Sequence, residues 1–109
     1  MNVLFICNQN QHRSRTAELL FRDKFNTRSA GLYNETPVTE SEIKWADLIF
    51  VMEDFQREVL AERFPKIYMQ KRIVSLGIPD EFFFNQPELI ELLKKRVKQL
   101  MPKIIEATH

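Results

Sequence analysis

The chain of 109 residues holds one cysteine, Cys7. A lone thiol excludes an internal disulfide, and with it the cross-linked scaffolds common among small secreted domains. No apolar run reaches membrane-spanning length. The longest candidates, Val3–Cys7 and Leu48–Met52, are five residues each, against the roughly 20 that a transmembrane helix needs. The first residues lack a basic segment followed by an apolar stretch and a small-residue cleavage site, so a reducing cytoplasm is the expected compartment. The formal net charge is only +1. Bulk charge therefore draws the chain neither to nucleic acid nor to a membrane, and any basic site must be local. Histidine is scarce too, with only His12 and the terminal His109, so no metal and no cofactor are expected.

What remains is ordinary globular composition, 44% hydrophobic and 28% charged residues, in a length that fits one domain spanning residues 1–109. Val3-Leu4-Phe5-Ile6-Cys7 is continuously apolar and reads as a strand covered on both faces. A wholly polar stretch, Asn8–His12, follows it. From Ser14 the period changes, with Ala17, Leu20, Phe21 and Phe25 on one helical face. Arg28–Leu32 predicts a second strand ending at Gly31, Leu48–Met52 a third and Arg72–Leu76 a fourth. Thr39-Glu40-Ser41-Glu42 has the pattern of a capping box opening a short helix toward Trp45. Asp54 is expected to cap a helix bearing Phe55, Val59, Leu60 and Phe64, stopped by Pro65. Pro87 suits the first turn of a last helix, whose stripe is Leu89, Leu93, Val97, Leu100 and Ile104. Lys94, Lys95, Arg96 and Lys98 on that helix read as a solvated face. Alternating strands and helices predict an α/β three-layer sandwich with a four-stranded, mainly parallel sheet. Ligands of such folds bind beyond the carboxyl ends of the strands, where Cys7, Met52 and Asp80 fall.

The stretch that carries chemistry is Cys7-Asn8-Gln9-Asn10-Gln11-His12-Arg13-Ser14. Five residues after a strand can curl so that their N–H groups converge on an anion. The following helix adds its unpaired N-terminal donors. Arg13 offers a planar fork for two phosphate oxygens. The same positive field favours a thiolate at Cys7 and makes it the expected nucleophile, with Ser14 placed to donate to it. Beside this stand plainer readings: Cys7 as a small buried hydrophobe, Arg13 as a solvated helix residue, Ser14 as an N-cap. Given the cysteine, Arg-Ser at this offset arises by chance roughly once in three hundred, and the strand before and helix after narrow it further.

The N-terminal third resembles the low molecular weight protein tyrosine phosphatases, whose signature loop begins with Cys and ends with Arg-Ser directly after the first strand. Val3–Ser14, Ala17-Glu18, Ser29-Ala30-Gly31, the run Ala46–Glu53 and Ile78-Pro79-Asp80 are similar to family segments in the same order. The resemblance implies a phosphatase-like fold and hydrolysis of phosphomonoesters, protein phosphotyrosine among them, through a phosphocysteine on Cys7. It implies that Arg13 and the loop Asn8, Gln9, Asn10, Gln11, His12 and Ser14 bind the phosphoryl group, and that Asp80 is the general acid, with Glu81 as an alternative. Phe82 and Phe83 would line the cleft, or else pack as ordinary core. Asn10 would brace the loop, with Ser14 and Ser29 in support.

The departures are specific. Gln9 stands where family loops usually carry glycine, His12 where many members have a second cysteine, and Glu81 where proline usually follows the acid. About a helix and a strand are missing between Leu32 and Trp45, which implies a shallower cleft. A phosphorylated small molecule, nucleotide or nucleic-acid end is therefore an alternative substrate, and a phosphate-binding module without turnover, or a partner-binding protein with an inert Cys7, are alternative functions.

Overall fold

The apolar run after Met1 forms the strand around which the rest packs. The structure, a computed structural model, describes residues 1–108, with the backbone alone for 105–108. His109 lies outside the described residues. Strand β1 (Asn2–Cys7) is flanked by β2 (Asn26–Gly31) and β3 (Leu48–Val51), and β4 (Arg72–Ser75) lies beyond β3, in the order β2-β1-β3-β4. All three pairings are parallel. Helices α1 (Arg13–Phe21) and α5 (Pro87–Thr108) cover one face of the sheet; α2 (Glu40–Trp45), α3 (Asp54–Arg63) and the short α4 (Pro65–Tyr68) cover the other.

The two-residue period of β1 explains why both faces bury it. Val3, Phe5 and Cys7 point into the layer with α1 and α5, while Leu4 and Ile6 enter the other core. Phe5 stacks on Phe50 and Phe21 with ring centroids 5.6 and 5.8 Å apart, fixing β1 against β3 and α1 at once. The stripe of α5 is likewise buried at Leu89, Leu93, Val97 and Ile104, with Leu100 partly so.

Several local expectations are corrected. Helix α1 ends at Phe21, so Phe25 packs on that core from the turn after it. Glu53, not Asp54, caps α3: its N–H donates to Gln56 Oε1 at 3.0 Å, and its carbonyl accepts from Gln56 N at 3.1 Å. Pro65 ends α3 but also begins α4, for which its fixed φ and missing N–H are suited. Phe55 is exposed at 40%; Leu60 is the fully buried member of that face. The capping box at Thr39 forms as expected, Thr39 Oγ1 accepting from Glu42 N at 3.2 Å.

Strand order reverses around β1: the chain moves outward to β2, then crosses to β3 on the other side. Such a switch opens a crevice at the carboxyl ends of the strands. The link from β2 to α2 is a loop of eight residues, 32–39, held by Val38 N donating to Gly31 O at 2.8 Å and by Arg63 Nη1 donating to Leu32 O at 2.6 Å. Gly31 is required for close approach here. A Cβ at that position would fall 2.5 Å from Asn34 Oδ1 and 3.0 Å from the Asn8 carbonyl.

Candidate phosphate-binding site

Cys7 is the last residue of β1 and is buried at 3% exposure. The chain then turns through Asn8–His12 into α1, whose first residue is Arg13. Among the described residues, no backbone N–H from Asn8 to His12 donates to a protein acceptor. A polar turn at a helix N-terminus with its donors unspent is an anion-binding arrangement. The turn is braced from inside. Asn10 adopts φ 55°, a left-handed conformation that asparagine tolerates better than most residues. Gln9, where a glycine was expected, is not in that region, so its side chain causes no backbone strain.

Two polar side chains, Ser14 and Asn10, link the turn to the sulfur. Cys7 Sγ lies 2.9 Å from Ser14 Oγ, and Ser14 Oγ donates to Asn10 Oδ1 at 2.8 Å. With the only hydroxyl proton on Asn10, the thiol is the donor to Ser14. Turning the Asn10 amide over lets its Nδ2 donate to Ser14 Oγ, which frees the hydroxyl proton for an ionised sulfur. The same atoms thus satisfy both states of Cys7.

Arg13 is 2% exposed. Its Nη1 donates to the Glu53 carboxylate and, at 2.8 Å, to the Ile78 carbonyl. Among the described residues Nε and Nη2 have no hydrogen-bond partner, and Asp80 Oδ1 stands 3.7 Å from Nε. The guanidinium is therefore held along one edge and offers the other, two-pronged edge to an oxyanion. Asp80 is 63% exposed at its side chain and lies in the loop after β4. Cys7, Asn8, Gln9, Gln11, His12, Arg13 and Asp80 together line a cavity of about 240 Å³. That is below the size of ordinary ligand pockets and suits a phosphoryl group with only part of what carries it. None of residues 32–45 contributes to its lining, in keeping with the short connection after β2.

The structure brings Cys7, Asn8, Gln9, Gln11, His12, Arg13 and Asp80 to one cavity, with Asn10 and Ser14 behind it. Ser29 is a correction. Its hydroxyl donates to Glu18 Oε1 at 2.7 Å, tying β2 to α1, and Asn10 is braced by Ser14 alone of the expected pair. Phe82 and Phe83 are corrected as well. Phe82 packs against the core layer containing Cys7, and Phe83, 74% exposed, sets its ring edge-on to His12 at 5.8 Å; neither lines the cavity.

Glu53 and Gln56 were missed as functional residues. Gln56 is completely buried; its Oε1 accepts from Met52 N at 2.7 Å and Glu53 N at 3.0 Å, and its Nε2 donates to Asn8 Oδ1 at 2.9 Å. One side chain thus locks the β3–α3 turn to the loop that follows Cys7. The spacing Glu53-x-x-Gln56 was the available sequence signal, a capping box with Glu in place of Ser or Thr. Gln56→Leu strands all three partners and is expected to destabilise the fold by about 2–4 kcal/mol. Gln56→Glu keeps an oxygen that accepts from both Met52 N and Glu53 N, and Asn8 can turn its Nδ2 toward the second oxygen, so the expected loss is smaller. Thermal unfolding of the two variants checks this order.

No protein-family model and no curated protein matches the sequence. Solved structures do match the fold. A low molecular weight protein tyrosine phosphatase from Streptococcus pyogenes is similar with TM-score 0.76 and 18% identity, the match covering 94% of this chain and 91% of that one. The tyrosine phosphatase Wzb from Escherichia coli, solved with phosphate, gives TM-score 0.73 and 23% identity over 94% and 96% of the two chains. The YwlE arginine phosphatase from Geobacillus stearothermophilus gives 0.69 and 19% over 99% and 97%. The fold is that of the low molecular weight protein tyrosine phosphatases. In the low molecular weight phosphatase fold of this chain, the cysteine loop occupies the crevice where the strand order reverses. Among the described residues no group of three or more His, Cys, Asp or Glu side chains could hold a metal ion, and no helix is long and apolar enough to cross a membrane.

Proposed function

We propose that the protein is a cysteine-dependent phosphatase acting on a phosphoryl group carried by a protein side chain or a small phosphomonoester. The observation that carries this reading is the Cys7 sulfur, 2.9 Å from the Ser14 hydroxyl, at the head of a loop with unspent N–H groups and the open edge of Arg13. The sulfur attacks phosphorus, an S–P bond forms, and the bond to the leaving atom breaks. Asp80 gives its proton to that atom as it departs. Asp80, now a carboxylate, takes a proton from water as the water attacks phosphorus; the S–P bond breaks, releasing inorganic phosphate and the thiolate that Ser14 then supports. Arg13 and the loop amides hold the three oxygens that carry charge in both steps.

The solved proteins with this fold include tyrosine and arginine phosphatases, which supports phosphotyrosine and phosphoarginine as the substrates to compare. The leaving atom is oxygen in one and nitrogen in the other, and the protonation by Asp80 is the same. A panel of a 4-nitrophenyl phosphate, a phosphotyrosine peptide and a phosphoarginine peptide tests the proposal. Turnover of at least one is expected. Asp80→Asn is expected to lose about a hundredfold in kcat/KM on the peptides and far less on 4-nitrophenyl phosphate, whose leaving group hardly needs a proton. Phosphate binding with no turnover on any member of the panel would instead identify a binding module.

A further inference from the structure

Asp80 has little to hold it by itself: its side chain is 63% exposed and its contact with Arg13 is 3.7 Å, too long for a hydrogen bond. Glu81 follows it, so the loop lacks a stiffening proline there. The loop is nevertheless anchored at both flanks. Before Asp80, Ile78 is fully buried, its N–H donating to Met52 O at 2.7 Å and its carbonyl accepting from Arg13. After Asp80, the chain is tied to the start of α1. Phe84 N donates to His12 Nδ1 at 3.1 Å, and Asn85 N donates to Thr16 Oγ1 at 2.9 Å. The Thr16 hydroxyl in turn donates to the His12 carbonyl at 2.7 Å, so each of its roles is filled. The Phe83 ring meets His12 edge-on, and the Arg15 guanidinium sits 5.9 Å from the Phe84 ring centre. Asn85 takes φ 60° to present its N–H to Thr16.

A backbone N–H can only donate, so the ring nitrogen facing Phe84 must be the unprotonated one. His12 is thus an acceptor turned away from the phosphate loop's own backbone and toward a segment 72 residues later.

We propose that His12 and Thr16 are positioning residues that clamp the far flank of the Asp80 loop to the helix carrying Arg13, and so set the acid against the phosphate site. The inference rests on the reading of Asp80 as general acid. It gives His12 a role through the loop, where the sequence suggested direct contact with substrate, and it accounts for how the loop is held without the proline.

The test compares His12→Phe, which keeps a ring beside Phe83 but has no acceptor, with His12→Asn, whose Oδ1 can stand near the position of Nδ1. Two readouts are taken: kcat/KM across aryl phosphates of graded leaving-group quality, and hydrogen exchange of the Phe84 amide. His12→Phe is expected to lose about tenfold on phenyl phosphate and threefold or less on 4-nitrophenyl phosphate, with faster Phe84 exchange. His12→Asn should recover most of both. Combined with Asp80→Asn, His12→Phe should add nothing further, because the acid it positions is gone. Unchanged Phe84 exchange, an equal loss across leaving groups, or a full additional loss in the Asp80→Asn background would overturn the inference. A flat leaving-group response of Asp80→Asn alone would remove the acid assignment, and the clamp's purpose with it; faster Phe84 exchange in that case would still distinguish this failure from the absence of a clamp.

Discussion

Cys7→Ser is expected to lower kcat/KM for 4-nitrophenyl phosphate by about ten-thousand-fold or more, the scale on which removal of a nucleophile acts. The chain holds no second thiol that could take over. A serine hydroxyl at position 7 can still meet Ser14, but it does not ionise near neutral pH, and an oxygen leaves phosphorus less readily than sulfur. The substitution removes one soft atom from a buried position that is otherwise filled as before, so folding and phosphate affinity should change little. Calorimetric titration with phosphate alongside the rate measurement separates the two effects. Retained turnover would exclude Cys7 as the nucleophile; lost phosphate binding would mean that the loop had collapsed.

Arg13→Ala should produce the second largest effect, and on two observables. Among the described residues its open edge supplies the only guanidinium lining the cavity, so kcat/KM is expected to fall by about a thousandfold, comparable with the loss of a principal charge-stabilising donor. Its other edge satisfies Glu53 and the Ile78 carbonyl. Truncation leaves these without their donor next to a hole the size of a buried guanidinium. Breaking such a pair from one side costs about 3–5 kcal/mol when both members are deeply buried; Glu53 is 33% exposed and can recruit water, which puts the expectation nearer about 2 kcal/mol. Urea unfolding measures this part. Arg13→Ala combined with Glu53→Gln should regain stability without regaining activity, since the neutral amide no longer strands a charge while the phosphate still lacks its clamp. Parallel recovery of both would mean that Arg13 acts only as structure.

The difference between what was legible in the sequence and what was not has a physical pattern. Strand β1, the cysteine loop and α1 were legible because local signals agree there: five apolar residues, a polar turn, then a helical stripe. The parallel sheet followed from alternation of element types, which a four-stranded order β2-β1-β3-β4 satisfies. Residues whose role is to hold others were less legible. Ser29 bonds to Glu18 because β2 lies against α1, a packing relation that local spacing does not encode. Gln56 reaches Asn8 across 48 residues, and His12 receives Phe84 across 72. The fate of Phe82 and Phe83, one partly buried against the core and one on the surface, depends on how the loop after β4 docks, and Asn85 N on Thr16 is part of that docking. Pro65 carried two signals at once, ending one helix and opening another, and the second was masked by the first.

The most direct measurement is peptide mass spectrometry of the wild-type protein after rapid acid quench during turnover of 4-nitrophenyl phosphate. A phosphoryl group attached to the sulfur of Cys7 is the predicted result, absent in Arg13→Ala under the same quench. Sustained turnover with the phosphoryl group on another side chain such as His12, or with no covalent adduct at any quench time, would contradict the assignment of this loop as the seat of the chemistry.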